Sequence, residues 1–396
     1  MMQRANKETV DGLDLHTKLI AAGRDPEQHY GFVNPPIYRG STILFPNTQS
    51  LIARDQPYVY GRRGTPTSVA MEDALRSIDG SAGVVLCPSG LAAISTALLS
   101  CLSHGDHLLI TDNVYAPTRE FCDRVLSRFG ISSTYFDPMI GAGIANLFRP
   151  NTKAIFLESP GSLTFEIQDV PAITDVAQSN GATVLLDNTW GTPLFFDAIG
   201  LGVDLTILSG TKYLVGHSDA MFGTVSASSK AWPALKSFHG DAGLCVGPDD
   251  INLALRGLRT LAVRLHRHEE SALKVAEYFC QHPLVRKVLH PAVSNSPGHA
   301  YWKRDFRGSS GLFSIIVEPG PPAALESFLD NLSLFGRGYS WGGFESLVLP
   351  FDCARQRTAT TWRPEGTCIR LHIGLESPRD LIADLGEGLI RYRAIL

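Results

Sequence analysis

The sequence lacks the features that would place the protein in a membrane, outside the cell or on a nucleic acid. Its longest apolar segment, residues 91–102, is too short to cross a bilayer. The first residues, MMQRANKETVDGLDLH, contain no apolar core of the kind found in signal peptides. The formal net charge is −4, which gives no basic surface for nucleic acid or anionic lipid. We therefore expect a soluble cytoplasmic protein that binds neither nucleic acid nor a membrane.

Cysteine is sparse and shows no pairing pattern. There are seven cysteines, an odd number, and none belongs to a CxxC motif. Disulfide frameworks and structural zinc sites both require regular cysteine spacing, which is missing here. The sequence therefore predicts free thiols in a reducing compartment and no metal site.

The length and the patterning indicate two domains and an arm. The chain has 396 residues, more than one compact domain usually holds. Over residues 61–260 apolar strands alternate with helices, which is typical of an α/β domain with a mostly parallel sheet. Residues 249–280 are predicted as one long helix, and residues 261–396 as a smaller α+β domain whose strands are accompanied by two helices. Residues 1–60 are apolar but irregular and rich in proline, so we expect an arm that packs on a neighbouring subunit.

Residues 204–224, DLTILSGTKYLVGHSDAMFGT, are the leading candidate for a reactive site. A short apolar strand ends in a turn of small and hydroxyl-bearing residues, and Lys212 then stands alone among neutral neighbours. Burial disfavours the ammonium form, so a lysine in this setting becomes a neutral amine that attacks carbonyls. The alternative is an ordinary exposed lysine in a loop.

A second apolar strand, in ATVLLDNTW, ends in Asp187. In an open α/β sheet, ligands bind outside the carboxyl ends of the strands. A lysine and an aspartate that each follow such a strand suit pyridoxal phosphate (PLP). Lys212 would hold the aldehyde as an imine, and Asp187 would keep the ring nitrogen protonated. On this interpretation residues 61–260 form the PLP-binding domain.

Three further features match the requirements of that cofactor and of an amino-acid substrate. The strand–turn–helix sequence VVLCPSGLAAIS places the amides of Ser89, Gly90 and Leu91 at a helix N-terminus, where they would bind a phosphate. Tyr115 follows the next strand and would stack on a bound ring, although ordinary packing is equally compatible. Arg370 is alone in an apolar strand and needs either a structural carboxylate or a substrate carboxylate.

Several of these motifs together resemble the Cys/Met-metabolism family of fold-type I PLP-dependent enzymes, and within it the bacterial cystathionine β-lyases. The resemblance covers nearly the whole chain and rests on the segments YVYGRRGTPT, LESPGSLTFEIQD, LLDNTWGTPLFF, SGTKYLVGHSDAMFGT, GYSWGGFESL and IRLHIGLE. It implies a large domain with a mostly parallel sheet and a smaller α+β C-terminal domain, in a homotetramer built from active dimers.

The resemblance also implies a role for each matching residue. The catalytic residues would be Lys212, Tyr115 and Tyr60. The cofactor would be held by Lys212, Asp187, Tyr115, Ser89, Gly90, Leu91, Ser209 and Thr211, with Tyr60 and Arg62 reaching the phosphate of the neighbouring subunit. The substrate would be bound by Arg370, Ser340, Trp341, Tyr339 and Asn188.

The reaction that the resemblance implies is α,β-elimination of L-cystathionine to homocysteine, pyruvate and ammonia. Ala-Pro-Thr after Tyr115 and the GYSWGG segment favour β-elimination over γ-elimination. The alternatives are a γ-lyase, a cysteine desulfhydrase or a γ-replacement synthase on the same scaffold, or a non-catalytic protein that has kept the fold. Residues 237–247 match no pattern that the resemblance leads us to expect. Residues 239–250, which overlap them, are predicted as a loop.

Overall fold

The computed structural model describes residues 12–396, so the first eleven residues of the predicted arm lie outside the described residues. Helices occupy α1 Leu15–Ala21, α2 Thr48–Ala53, α3 Pro66–Asp79, α4 Gly90–Cys101, α5 Ala116–Arg124, α6 Val170–Ser179, α7 Thr192–Phe195, α8 Trp232–Asp241, α9 Pro248–Arg259, α10 Leu261–Gln281, α11 His299–Asp305, α12 Pro322–Asp330 and α13 Pro378–Arg393. Short 3-10 turns lie at Glu27–His29, Gly61–Arg63, Leu126–Phe129, Gly141–Leu147 and Ala354–Gln356.

The strands form two sheets. The larger sheet contains β1 Gly83–Cys87, β2 His107–Thr111, β3 Ser132–Phe136, β4 Thr152–Glu158, β5 Thr183–Asp187, β6 Leu205–Leu208 and β7 Gly223–Ala227, in the order β1-β7-β6-β5-β4-β2-β3. Its pairings are parallel except for those of β7, which runs antiparallel to β1 and β6. The smaller sheet contains β8 Val285–Leu289, β9 Leu312–Val317, β10 Gly336–Arg337, β11 Leu347–Pro350 and β12 Thr367–His372, in the order β10-β11-β12-β9-β8. The predicted fold class is confirmed.

Helices cover both faces of the larger sheet, which explains why its central strands β4 and β5 are almost continuously apolar. On β4, Ala154 and Phe156 pack in the same core as α4, whereas Ile155 and Leu157 pack in the core that contains α6. Alternate side chains of one strand therefore enter different cores. In β4 and β5 the carboxylates, Glu158 and Asp187, stand at the carboxyl ends of the strands.

In the smaller sheet, β12 divides its side chains in the same way. Ile369 and Leu371 pack against α10, α12 and α13, whereas Cys368 faces the core of the larger sheet. Because side chains alternate along a strand, Arg370 lies on the face that Cys368 occupies. The strand thus directs an arginine at the junction of the two sheets.

Three predictions of local structure were wrong. Residues 249–280 form two helices, α9 and α10, that break at Thr260 because α9 packs beside α3 whereas the later part of α10 packs on the smaller sheet. Helix α11 was not predicted, since it is short and buries no side chain. The loop predicted from residue 239 begins inside α8, which extends to Asp241.

The domain boundary that the sequence predicts between residues 260 and 261 stays a prediction. Helix α10 gives Leu261 and Leu265 to the core around α9, but Ala272 and Val275 to the core of the smaller sheet. None of the helices between residues 12 and 396 combines the length and the apolar character needed to cross a membrane.

Asp112, just beyond β2, fastens the segment before β12 to the larger sheet. Its carboxylate accepts hydrogen bonds from the amides of Thr358 at 2.9 Å and Thr360 at 2.8 Å. It also accepts one at 2.7 Å from Arg119, whose side chain is buried. One buried carboxylate thus binds both the segment before β12 and the side chain of Arg119.

Replacing Asp112 by Ala should lower the free energy of unfolding by about 3 kcal/mol, because the buried Arg119 would lose its carboxylate partner and the amides of Thr358 and Thr360 would lose their acceptor. Urea denaturation monitored by circular dichroism measures the change. Glu120→Ala is the matched control, since Glu120 on the same helix pairs with Arg124 in solvent and should cost under about 1 kcal/mol. Equal losses in the two variants would contradict this account.

Candidate active site

The candidate residues of the larger sheet meet at its carboxyl edge. Asp187 ends β5 and pairs in register with Ile207 of β6, five residues before Lys212. On its other side, Asp187 pairs with Glu158, which ends β4. The structure therefore brings Asp187 and Lys212 to one edge, as parallel strands require.

Lys212 is partly buried, and its amine is held by the smaller domain. Nζ donates a hydrogen bond of 2.6 Å to Oγ of Ser340 and lies 5.6 Å from the ring centre of Trp341. Burial and, to a lesser extent, the positive charge of Arg370 lower the pKa of Lys212 to about 8, and the charge of Asp187 acts in the opposite direction. A large fraction of this amine is neutral in weakly basic solution, which is the form that attacks a carbonyl or takes a proton.

Asp187 is buried and keeps one carboxylate oxygen open. The amide and the hydroxyl of Thr189 both donate to Oδ1, at 3.0 Å and 2.5 Å. Burial raises the pKa of Asp187, while the bonds from Thr189 and the charge of Lys212 act in the opposite direction. Oδ2 is thus available to a protonated ring nitrogen.

Tyr115 stands at the start of α5, directly above this edge. Its amide donates to Oε2 of Glu158 at 2.8 Å, and the residue as a whole is 44% exposed. Burial raises the pKa of the Tyr115 phenol, and the charges of Glu158 and Asp187 add to the shift. The side chain is therefore a neutral ring that a planar ligand can cover.

Sequence reasoning missed Glu158 and Thr189. Glu158 orients the Tyr115 backbone, and burial together with Asp187 raises the pKa of its carboxyl well above the usual value. The feature of the sequence that could have indicated Glu158 is the glutamate at the end of KAIFLE, because the parallel pairing of β4 with β5 places it beside Asp187. The signal for Thr189 was its position two residues after Asp187, where a hydroxyl bonds back to the carboxylate.

The proposed phosphate cradle lies between α4 and the turn after β6. Ser89 caps α4 by accepting a hydrogen bond from the Ala92 amide, which leaves the first-turn amides at Gly90 and Leu91 for a ligand. A side chain at position 90 would press into Ser209, so only glycine leaves this space open. The Thr211 hydroxyl is bonded to the Phe222 backbone and fixes the same turn.

Arg370 is 9% exposed and has no carboxylate partner. Nη2 donates to the Ser340 carbonyl at 2.9 Å, Nε is buried without a partner, and no Asp or Glu of residues 12–396 forms a salt bridge with it. Burial lowers the pKa of this guanidinium to about 10. A structural carboxylate is thus excluded within the described chain, and the arginine is open to an anionic ligand.

The remaining predicted residues differ in how close they come to Lys212. Trp341 lies beside it, whereas Tyr339 is 92% exposed. The amide of Asn188 donates to the Phe196 carbonyl, and its buried Oδ1 has no partner. An acceptor oxygen does not pair with a carboxylate, so this arrangement gives no support to the predicted contact of Asn188 with substrate.

Tyr60 and Arg62 lie on the Gly61–Arg63 turn, where Arg62 donates to the Gly240 carbonyl of α8 at 2.9 Å. Tyr60 is 46% exposed. Neither side chain is hydrogen-bonded to Lys212 or Asp187 of its own chain. Their contact with the phosphate of a neighbouring subunit stays a prediction.

The donor set fits PLP at three points. The glycine-lined helix N-terminus could bind a phosphate, the open oxygen of Asp187 could accept a hydrogen bond from a pyridinium nitrogen, and Lys212 could offer an amine of low pKa to the aldehyde. Arg370, with an unpartnered buried Nε, could bind the carboxylate of an amino acid.

Comparisons with known proteins agree with this donor set. The sequence profile described as "Cys/Met metabolism PLP-dependent enzyme" matches residues 16–390. The chain is 45% identical to cystathionine beta-lyase of Escherichia coli, over 95% of this chain and 98% of that protein. It is 43% identical to cystathionine beta-lyase of Salmonella typhimurium, over 95% and 98% of the two chains.

A solved structure has the same fold. It is that of cystathionine gamma synthase from Xanthomonas oryzae in complex with aminoacrylate and cysteine. The TM-score is 0.90 at 32% identity, and the match covers 97% of this chain and 100% of that one. The backbone of this scaffold is therefore shared by enzymes named for different reactions.

Replacing Gly90 by Ala should weaken PLP binding by at least about tenfold, because the methyl group displaces Ser209 from the phosphate cradle. Spectroscopic titration of cofactor-free protein with PLP measures the affinity. Gly247→Ala is the control, since a methyl group there meets open space. If Gly90→Ala bound PLP as the control does, the cradle would lie elsewhere.

The rate at which cofactor-free protein forms an imine with PLP should rise with pH, because only the neutral Lys212 amine reacts. The midpoint of this rise should lie at a pH of about 8, and the rate should level off above it. Arg370→Leu removes a positive charge that disfavours the ammonium form, so the midpoint should move to higher pH. Stopped-flow absorbance measures both curves. Arg379→Leu, at an exposed arginine, should leave the midpoint unchanged, and an unshifted midpoint in Arg370→Leu would contradict the assignment.

Proposed function

This chain belongs to the family of Cys/Met metabolism PLP-dependent enzymes, and from that premise we propose that it is a carbon–sulfur lyase that cleaves L-cystathionine by α,β-elimination. The family assignment confirms the resemblance seen in the sequence, and PLP is the cofactor of the family. The proposed substrate is supported by the two cystathionine beta-lyases that are 45% and 43% identical over nearly the full chain.

The observation that carries the proposal is the position of the Lys212 amine. Nζ is fixed on Ser340, and the carbonyl of the same serine is bonded to Arg370. A substrate carboxylate on Arg370 would therefore place its Cα close to a base of low pKa. This is the geometry that proton removal from the Cα of an amino acid requires.

In the proposed reaction, Arg370 binds the α-carboxylate and Lys212 takes the Cα proton. Bound PLP supplies an electron sink for the pair of electrons left on Cα. That pair forms the Cα–Cβ double bond as the Cβ–S bond breaks. The homocysteine thiolate leaves with the electron pair of the Cβ–S bond and takes up the proton that Lys212 carries. Hydrolysis of the three-carbon fragment by one water gives pyruvate and ammonia. Lys212 contributes on the order of 10²–10⁴-fold as the acid–base group.

Asp187, Tyr115 and the phosphate cradle hold the cofactor in this proposal. Oδ2 of Asp187 pairs with the ring nitrogen, and Thr189 fixes the other oxygen. The neutral Tyr115 ring covers the cofactor face, and Ser89, Gly90, Leu91, Ser209 and Thr211 enclose its phosphate. Tyr339 and Trp341 line the substrate side.

We also propose a cytoplasmic homotetramer built from dimers in which the arm covers the neighbouring subunit. The support is a set of exposed apolar side chains on the arm, including Tyr30 at 97%, Leu44 at 85% and Ile52 at 79%. Exposed apolar surface of this extent marks a contact with another protein. Tyr60 and Arg62 would then complete the neighbour's phosphate site. All seven cysteines are free thiols, which suits a reducing compartment.

The purified enzyme should convert L-cystathionine to pyruvate, homocysteine and ammonia, and Lys212→Ala should slow turnover at least about a hundredfold. Chromatography of the derivatised oxo acids separates pyruvate from 2-oxobutyrate. Lys274→Ala is the control, because that exposed lysine pairs with Glu270 at the surface and should turn over at the wild-type rate. A 2-oxobutyrate product would instead support γ-elimination, and wild-type turnover by Lys212→Ala would refute the mechanism.

A further inference from the structure

His372 lies on β12, two residues after Arg370 and on the same face of the strand. The ring is fully buried, and its Nε2 lies 3.1 Å from the Gly342 amide and 3.2 Å from the Gly343 carbonyl. An unprotonated Nε2 accepts from the Gly342 N–H, and a protonated one donates to the Gly343 carbonyl. Either neutral tautomer therefore ties the ring to this turn.

The turn that His372 holds packs on the backbone of the reactive lysine. Gly342 has a φ of +88°, and a methyl group on its Cα would lie 2.8 Å from the Tyr213 nitrogen and 3.0 Å from Cα of Lys212. Two residues earlier, Ser340 has a φ of +74°. A serine keeps this conformation only when its surroundings impose it, so the turn needs firm contacts on both sides.

We propose that His372 is a positioning residue that fixes the Gly342–Gly343 turn and thereby holds Oγ of Ser340 at the amine of Lys212. The proposal rests on the proposed function, in which that amine carries the Cα proton. Arg370 holds the other end of the same turn through the Ser340 carbonyl. Arg370 and His372, on one face of β12, thus both bind the turn that contains Ser340, to which Lys212 donates its hydrogen bond.

Packing alone does not account for a histidine at this position. Its Nδ1 is buried without a hydrogen-bond partner. The centre of its ring lies 5.2 Å from the ring centre of His268 and 5.9 Å from that of Tyr213. An unpaired polar atom in such a core costs stability that an apolar residue would not cost. Burial, with the positive charges of Arg370 and Lys212 nearby, holds the pKa of His372 well below its usual value, so the ring stays neutral. The Nε2 contact is the feature that offsets the unpaired nitrogen.

Three substitutions of His372 test whether its side chain must be polar and must also be long enough to contact the Gly342–Gly343 turn. His372→Gln places an amide where Nε2 stood and can pair with either backbone group, so kcat should stay within about threefold of wild type. His372→Leu fills the space without a polar atom and should lower kcat about tenfold, because Ser340 is no longer held. His372→Asn has the same chemistry as Gln but is one methylene shorter, so it should behave like Leu. If the Leu variant does not fold, the Gln and Asn pair decides the question.

A double-mutant cycle with Ser340→Ala shows whether the effect passes through the serine. The second change, His372→Leu, should lower kcat by less than about twofold in the Ser340→Ala background, since Ser340 Oγ is already absent. A purely structural role would give the same tenfold loss in both backgrounds, and that result would overturn the proposal.

Crystal structures of the cofactor-free variants give a readout that is independent of turnover. In His372→Leu or His372→Asn, Oγ of Ser340 should move out of hydrogen-bond distance from Nζ, whereas His372→Gln should retain the 2.6 Å contact. A retained contact in Leu and Asn would refute the positioning role. These results are separable from the proposed function, which fails only if Lys212→Ala retains turnover or the product is not pyruvate.

Discussion

The hydrogen bond from Lys212 to Ser340 is the contact on which the site depends, because it joins the two sheets. Lys212 follows β6 of the seven-stranded sheet, whereas Ser340 lies between β10 and β11 of the five-stranded one. Neither part of the chain places the amine by itself. The packing between the sheets therefore sets the position of the reactive nitrogen, and the burial of that nitrogen between them lowers its pKa.

One strand links this contact to the stability of the smaller domain. In β12, Ile369 and Leu371 are fully buried in the core formed with α10, α12 and α13. Arg370 and His372 point to the opposite face and bind the turn around Ser340. Because side chains alternate strictly along a strand, the residues that stabilise the domain also fix the direction of the residues that serve the site.

The edge that carries Asp187 and Lys212 could be predicted from the sequence. Each of these residues follows a short apolar strand, and parallel strands end at the same edge of a sheet. Two local sequence patterns therefore predict that residues far apart in the chain lie close together. Glu158 could not be chosen in the same way, since a glutamate at the end of a strand is also typical of a solvated turn. Only the register of β4 with β5 shows that it lies beside Asp187.

Other features depend on contacts between distant segments and have no local signal. The positive φ of Ser340 arises at a residue type that rarely adopts it, so the surrounding chain imposes it. Thr260 interrupts a continuous helical pattern because α9 and α10 pack on different cores. The role assigned to Tyr60 and Arg62 requires a second copy of the chain, and no pattern within one chain fixes that geometry.

The charges of the site are complementary to what it is proposed to hold. Arg370 is buried without a carboxylate partner, which is costly until an anionic group binds it. Two adjacent carboxyls, Glu158 and Asp187, do not ionise together readily in such a setting. Asp187 receives two hydrogen bonds from Thr189 and feels the charge of Lys212, and both contacts favour its ionised form. Glu158 receives one hydrogen bond from the Tyr115 amide, and burial and the charge of Asp187 raise its pKa well above the usual value. The contacts of the pair thus favour a negative charge on Asp187 over one on Glu158, and Asp187 is the carboxylate that we propose for a pyridinium nitrogen.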